Sequence, residues 1–190
     1  MCESMTDSEL IALSIRDNHY FWELIERYEQ KLFRYIMRLG DFSLEEAEDL
    51  LQDIFIKVYV HLNEYDSSFA FSSWIYRIAH NSSVDYFRKK NIRSTISLDD
   101  EEYMWLTEGL RSDEDIHFEL MEKDMKITMQ QAISDLGREL SEVLLLRYIE
   151  EKSYDEISDI LRIPPSTVGT LIYRAKKKLA GELLSFSHHL

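Results

Sequence analysis

Apolar positions recur at helical spacing along most of the chain, and no run of strict apolar–polar alternation competes with them. A first helix is predicted over about Asp7 to Asn18. A second, over about Tyr20 to Leu39, repeats apolar residues at Leu24, Tyr28, Leu32, Tyr35 and Leu39, and Gly40 ends it. Ser43 followed by Glu46 forms a capping box opening a third helix, whose Ala47, Leu51, Phe55, Val58 and Leu62 fall on one stripe. Asn63 to Ser68 turns the chain. A fourth helix, about Phe71 to Lys90, places Trp74, Ile75, Ile78, Ala79, Ser82 and Tyr86 on its buried face. Four such helices predict a small bundle.

The period fails from Arg93 to about Asp115, where Asp99-Asp100-Glu101-Glu102 and Asp113-Glu114-Asp115 repel one another and favour an extended linker. Helical spacing resumes over about Ile116 to Leu136 and again over Glu139 to Ile149, the latter containing Val143-Leu144-Leu145-Leu146. Next comes a second capping box, Ser153 with Glu156, followed by Ile157, Ile160 and Leu161. Arg162-Ile163-Pro164-Pro165 interrupts, and a final helix runs from Thr167 to Leu179. A helix of eight or nine residues, a short turn and a longer basic helix describe a helix-turn-helix over 153–180. The expected fold is therefore all-α: two small helical domains, 1–92 and 116–190, joined by an acidic linker at 93–115.

Composition supports this organisation. With 190 residues, 45% of them apolar, the chain can bury two small helical cores, and only five Gly and two Pro interrupt long helices. The single cysteine, Cys2, forms no internal disulfide, and no Cys/His cluster has metal-ligand spacing, so neither a metal nor a cofactor is expected. The first residues lack a basic flank and a following apolar run, and no stretch approaches a membrane span, so a cytoplasmic protein without membrane insertion is expected.

The net charge of -14 opposes binding to a polyanion until its distribution is considered. Residues 81–93 carry four basic side chains against one acidic, and 125–190 carry nine of each, whereas 94–124 carry eleven acidic against two basic. Positive charge clusters at Arg88-Lys89-Lys90 with Arg93, and at Arg174 with Lys176-Lys177-Lys178. Basic helix ends also complement the macrodipole.

Three constellations carry chemistry. In the last helix, Val168, Leu171, Ile172, Ala175 and Leu179 can pack inward, leaving Ser166, Thr167, Thr170, Tyr173, Arg174 and Lys177 outward. Hydroxyls, an aromatic surface and a guanidinium suit a major groove, although an amphipathic core helix has the same pattern. In the fourth helix Arg77, Asn81 and Arg88, with Asp85 between, form a polar stripe, and Phe69, Phe71 and Trp74 stand at its entrance. Aromatic faces beside a basic helix suit unpaired bases, stacking being worth about 1–3 kcal/mol per base; burial in the core explains them equally. In the third helix Asp49, Gln52 and Asp53, at i, i+3 and i+4, lie beside Ile56 and Tyr59 opposite the apolar stripe. That face suits a partner protein, and an ordinary solvated face fits as well.

Taken together these segments resemble bacterial sigma factors of the extracytoplasmic-function type, which retain only regions two and four. Glu48-Asp49-Leu50-Leu51-Gln52-Asp53-Ile54-Phe55 resembles the family's E-D-L-x-Q-(E/D)-x-F segment. Phe71-Ser72-Ser73-Trp74-Ile75-Tyr76-Arg77-Ile78-Ala79-His80-Asn81, with Asp85-Tyr86-Phe87-Arg88-Lys89, resembles F-x-x-W-L-x-x-I-A-x-N…D-x-x-R. Ser153-Tyr154-Asp155-Glu156-Ile157-Ser158, Pro164, Thr167-Val168 and Tyr173-Arg174-Ala175 resemble S-Y-x-E-I-A…P-x-x-T-V…R-A. The resemblance implies a non-catalytic initiation subunit. Asp49, Gln52, Asp53 and Ile56 would dock on the clamp helices of core RNA polymerase. Phe69, Phe71, Trp74, Arg77, Asn81 and Asp85 would serve recognition and melting of a -10 element, with Arg88 and Lys89 on its backbone, and the helix-turn-helix would read a -35 element. The acidic linker would thread the channel later used by RNA, and an anti-sigma factor is an expected partner.

Three positions depart from the family pattern. Gly169 and Leu171 stand where many relatives place Lys or Arg, and Gly inside a helix costs about 1 kcal/mol relative to Ala. Arg162 stands where relatives often have Gly, which predicts a strained left-handed residue. Two other readings compete with the resemblance. A dimeric helix-turn-helix regulator predicts strong duplex binding without polymerase and palindromic half-sites. A polymerase-binding interaction module without DNA contact predicts indifference to substitution at Arg174 and Lys177.

Overall fold

The computed structural model describes residues 5–93 and 136–187, with side chains described to Lys90 in the first span and to Gly181 in the second. Among these residues there are helices and no strands. Helix α1 (Asp7–Ser14) leads to α2 (His19–Leu39), α3 (Leu44–Val60), a single 3-10 turn at Leu62–Glu64, and α4 (Phe71–Arg93). The second group comprises α5 (Arg138–Leu144), a π-helical turn at Leu145–Ile149, α6 (Tyr154–Leu161) and α7 (Pro165–Ser187). The acidic linker and the helix expected at Ile116–Leu136 fall almost wholly outside the described residues.

Local chemistry explains the starts and stops. Thr6, Ser43 and Ser153 each cap a helix with a Glu three residues on, so α1, α3 and α6 all open on a complete capping box. Only the last two are legible by eye, because Thr6 precedes a helix with almost no apolar stripe. Helix α1 stops at Ser14, four residues short of the expected Asn18, and Asp17 accepts the backbone N–H of His19 at 2.9 Å to redirect the chain. Gly40 does end α2, but its φ of 163° is extended backbone, so left-handed capping is not its reason. A Cβ there would stand 2.6 Å from Cζ of Phe87: the glycine admits an aromatic ring from α4.

The first bundle buries the α2 stripe Leu24, Tyr28, Leu32, Tyr35 and Leu39 against Ala47, Leu51, Ile54, Phe55 and Val58 of α3 and Phe71, Ile75, Tyr76 and Ala79 of α4. Ile78 and Tyr86, expected on the buried face, are only partly covered, while Phe87 is buried instead. In the second group Val143, Leu146, Ile157, Ile160, Val168, Leu171, Ile172 and Ala175 close a small core. Helix α6 lies against α4, so the two groups share one continuous apolar cluster.

Candidate nucleic-acid interface

Helix α6 is fixed at its start by Ser153, whose N–H donates to Glu156 Oε2 at 2.8 Å while its hydroxyl accepts the Glu156 N–H at 3.2 Å. Burial raises the Glu156 pKa, but the Ser153 hydrogen bonds, Lys152 and Ser72 outweigh it and hold the carboxyl below its usual value. The helix ends at Arg162, which adopts φ 57° and ψ 40°, the left-handed conformation. The Ser158 hydroxyl donates to the Ile163 carbonyl at 2.6 Å and closes the turn. Pro165, rather than Thr167, is the first residue of α7, a position where the missing N–H costs nothing. Replacing Arg162 with Gly is expected to raise the unfolding free energy by about 1 kcal/mol, measured by urea denaturation, because the left-handed penalty disappears.

Behind α7, Val168, Leu171, Ile172 and Ala175 are buried. Leu171 is therefore a core residue, and its being apolar removes no phosphate contact. Outside, Ser166, Thr170, Tyr173, Arg174 and Lys177 are exposed, Tyr173 by 66%, and Thr167 is half-buried. The Thr170 hydroxyl donates to the Ser166 carbonyl at 3.0 Å, which leaves its lone pairs available. Lys176 is turned aside, its Nζ 4.9 Å from the centre of the Tyr148 ring. Gly169 lies against the helix before it: a Cβ there would meet Tyr154 at an ordinary 3.6 Å.

The α4 stripe is less uniform than its sequence suggests. Asn81, Asp85, Arg88 and Lys89 are exposed, and Arg88 donates to Asp85 at 2.7 Å. Lys90, part of the same basic run, is occupied structurally: it donates to the Asp41 carbonyl at 3.0 Å and to Glu46 at 3.2 Å. Arg77 is half-buried against α6; burial and the like charge of Arg162 lower its pKa, while Asp159 opposes them. Of the three aromatics, Phe69 is 43% exposed, but Phe71 and Trp74 are 3% and 9% exposed. Their rings pack against each other and against Tyr65, with Phe71 also edge-on to Tyr28. The expectation that Phe71 and Trp74 offer faces to bases is thus corrected: in this arrangement they are core and support the loop that carries Phe69.

On α3, Asp49, Gln52, Asp53 and Ile56 all face solvent, Ile56 by 61%. The apolar part of this face extends to exposed Tyr59 and Val60, with Phe21 packed edge-on to Tyr59. Val60 was not singled out from sequence, though its four-residue offset from Ile56 off the buried stripe is a usable signal.

A family model described as Sigma-70 region 2 matches residues 24–92, and one described as Sigma-70, region 4 matches residues 127–179. The ECF RNA polymerase sigma factor SigW of Bacillus subtilis (strain 168) is 33% identical over 188 residues, covering 95% of this chain and 98% of that protein. The chain belongs to the extracytoplasmic-function family of RNA polymerase sigma factors. The RNA polymerase sigma-H factor of Pseudomonas aeruginosa is 29% identical over 177 residues, 91% of each chain. Among solved structures, CnrH in complex with the cytosolic domain of CnrY matches with a TM-score of 0.66 at 22% identity, covering 94% of this sigma factor and 97% of that chain. The sigma factor RpoE of Bartonella quintana, in complex with the anti-sigma factor NepR, matches with a TM-score of 0.66 at 17% identity, covering 86% and 96%. Both share the fold. The π-helical turn and α6 of this sigma factor fall within the region 4 match, which takes in α7 as far as residue 179, and α3 with all but the last residue of α4 falls within region 2.

Proposed function

We infer that this sigma factor serves as the dissociable specificity subunit of RNA polymerase, directing initiation at promoters without catalytic chemistry of its own. The observation that carries the reading is the pairing, in one chain, of a region 2 bundle whose α3 presents Asp49, Gln52, Asp53 and Ile56 to solvent with a region 4 helix-turn-helix whose α7 presents an uncovered polar face. The α3 face docks on core polymerase. Asn81 and Phe69 take bases of the -10 element, with Arg88 and Lys89 on its backbone once Arg88 exchanges Asp85 for phosphate. Ser166, Thr167, Thr170, Tyr173, Arg174 and Lys177 read the -35 duplex. The division at 1–92, 93–115 and 116–190, a cytoplasmic location and an anti-sigma partner belong to the same reading. Among the described residues no helix is long and apolar enough to cross a membrane.

Transcription of a genomic library by core polymerase, with and without the chain, tests this. Start sites that depend on the chain and share two upstream elements are expected. Their absence, with the chain bound to polymerase, overturns the reading.

A further inference from the structure

A cavity of about 410 Å³ opens between α2, the start of α4 and the loop that joins the π-helical turn to α6. That volume falls in the range of small-molecule sites, and no residue lining it belongs to the faces assigned to polymerase or DNA. Its lining is cationic. Lys31, Arg34 and Arg38 project from α2 and Lys152 from the loop, against the carboxylates of Glu150 and Glu151. A surplus of two positive charges in one concave site runs against the net charge of -14 carried by the whole chain. At i, i+3 and i+7, the three α2 cations form a row about 10 Å long at a rise of about 1.5 Å per residue.

Most of this charge is uncompensated. Lys31 stands 5.9 Å from the centre of the Tyr28 ring, and neither it nor Arg34 has an ion-pair partner among the described residues. Arg38 reaches Glu150 only at 3.7 Å, and Lys152 reaches Glu156 at 3.8 Å with its side chain 12% exposed. Burial lowers the Lys152 pKa; Glu156 and Glu150 oppose the fall without cancelling it, and Lys31 deepens it. An anion in the cavity would supply the compensation that these carboxylates leave short.

The frame that carries the cations is held by buried hydrogen bonds. Glu142 of α5 accepts the Tyr35 hydroxyl of α2 at 2.6 Å and lies 2.6 Å from Nδ1 of His80, and Glu150 accepts the Tyr76 hydroxyl at 2.5 Å. Lys152 donates its backbone N–H to the Leu146 carbonyl at 2.9 Å, and its carbonyl accepts from Arg147 at 2.8 Å. Between Glu150 and Lys152, Glu151 adopts φ 53°, a left-handed conformation that a non-glycine residue rarely holds and that recurs at ligand sites. The Ser72 hydroxyl, 3.5 Å from Glu156, is loosely held and free to donate to a ligand. We propose that this cavity is a binding site for a small molecule bearing a diphosphate group. The planar forks of Arg34 and Arg38 bind phosphate oxygens in pairs, Lys31 and Lys152 add point charges, and Ser72 donates a further bond. A cationic row of about 10 Å is longer than one phosphate, so two joined phosphates suit it better than orthophosphate or sulfate. A continuous nucleic-acid strand suits an open face such as that of α7, whereas a cavity bounded by two helices and a loop takes a compact ligand.

Isothermal titration calorimetry of the full chain with inorganic pyrophosphate, near 0.1 M salt and without divalent cations, tests the site. One saturable site per chain is expected, with an affinity at least about tenfold above that for orthophosphate or sulfate. Lys31→Gln with Arg34→Gln should weaken pyrophosphate binding by at least about tenfold, because hydrogen bonds to charged groups are lost. Glu151→Asn should tighten it several-fold: the change removes a repelling carboxylate, and Asn tolerates the left-handed backbone. Arg16→Gln removes a positive charge away from the cavity and should leave the affinity unchanged. All four substituted residues are exposed, so the variants keep the fold, which circular dichroism checks. No saturable binding at millimolar pyrophosphate, equal binding of the three anions, or equal losses in the cavity and Arg16 variants overturns the proposal. So does an oligodeoxythymidylate that displaces pyrophosphate and depends on the same cations, since the site would then be a nucleic-acid contact.

Discussion

Arg174→Glu with Lys177→Glu is expected to lower the affinity of the polymerase-bound chain for -35 duplex by at least about a hundredfold near 0.1 M salt. Both side chains are exposed on the outer face of α7, whose back is held by buried Val168, Leu171, Ile172 and Ala175. The substitution therefore alters the field facing the phosphates and leaves the packing that supports the helix. Two neutralised phosphates fewer should make the plot of log affinity against log salt shallower by about two, and the introduced carboxylates add repulsion. The loss should be similar across promoter sequences if both side chains contact phosphate, and selective for one base pair if Arg174 pairs with a guanine. Fluorescence anisotropy across a salt series measures both. Unchanged promoter affinity would mean that α7 does not enter the groove, while unfolding stability should move by no more than about 0.5 kcal/mol, as for other surface changes.

The second large effect is on stability. Ile160 is completely buried in α6, among the few aliphatic side chains that form the region 4 core. Ile160→Ala is expected to cost about 2–5 kcal/mol, the lost transfer free energy plus the cavity left behind. Small domains have a total margin of roughly 5–15 kcal/mol, so the helix-turn-helix should become the first unit to unfold in urea. Tyr173→Ala, on the exposed face, serves as the contrast and should change the midpoint little. An Ile160→Ala loss below about 1 kcal/mol would mean that this small core collapses around the gap.

Much of the fold was legible because helical burial is periodic. The stripe at Leu24, Tyr28, Leu32, Tyr35 and Leu39 is buried throughout, as is that at Ala47, Leu51, Phe55, Val58 and Leu62. The outward positions of α7 followed from the same period. Failures fall where a single helix does not decide burial. The π-helical turn at Leu145–Ile149 replaces the end of an expected regular helix, although Val143-Leu144-Leu145-Leu146 satisfies both geometries. Phe71 and Trp74 were placed at the mouth of a polar stripe, and a neighbouring Tyr65 turned them inward. Lys90 reads as one of three equivalent cations, yet it is occupied by Glu46, forty-four residues away.

The sequence alone determined the helical class, the two groups of helices, the capping boxes at Ser43 and Ser153, and the residue types exposed on α3 and α7. These are local properties: a stripe, a cap or an i, i+3 pair involves residues within a turn or two. Only the tertiary structure decided how the groups meet, because the partners of Glu142 and Glu150 lie 62 to 112 residues away. No periodicity links a glutamate on α5 to a phenol on α2. Packing forms that bond, and with it the contact between α4 and α6.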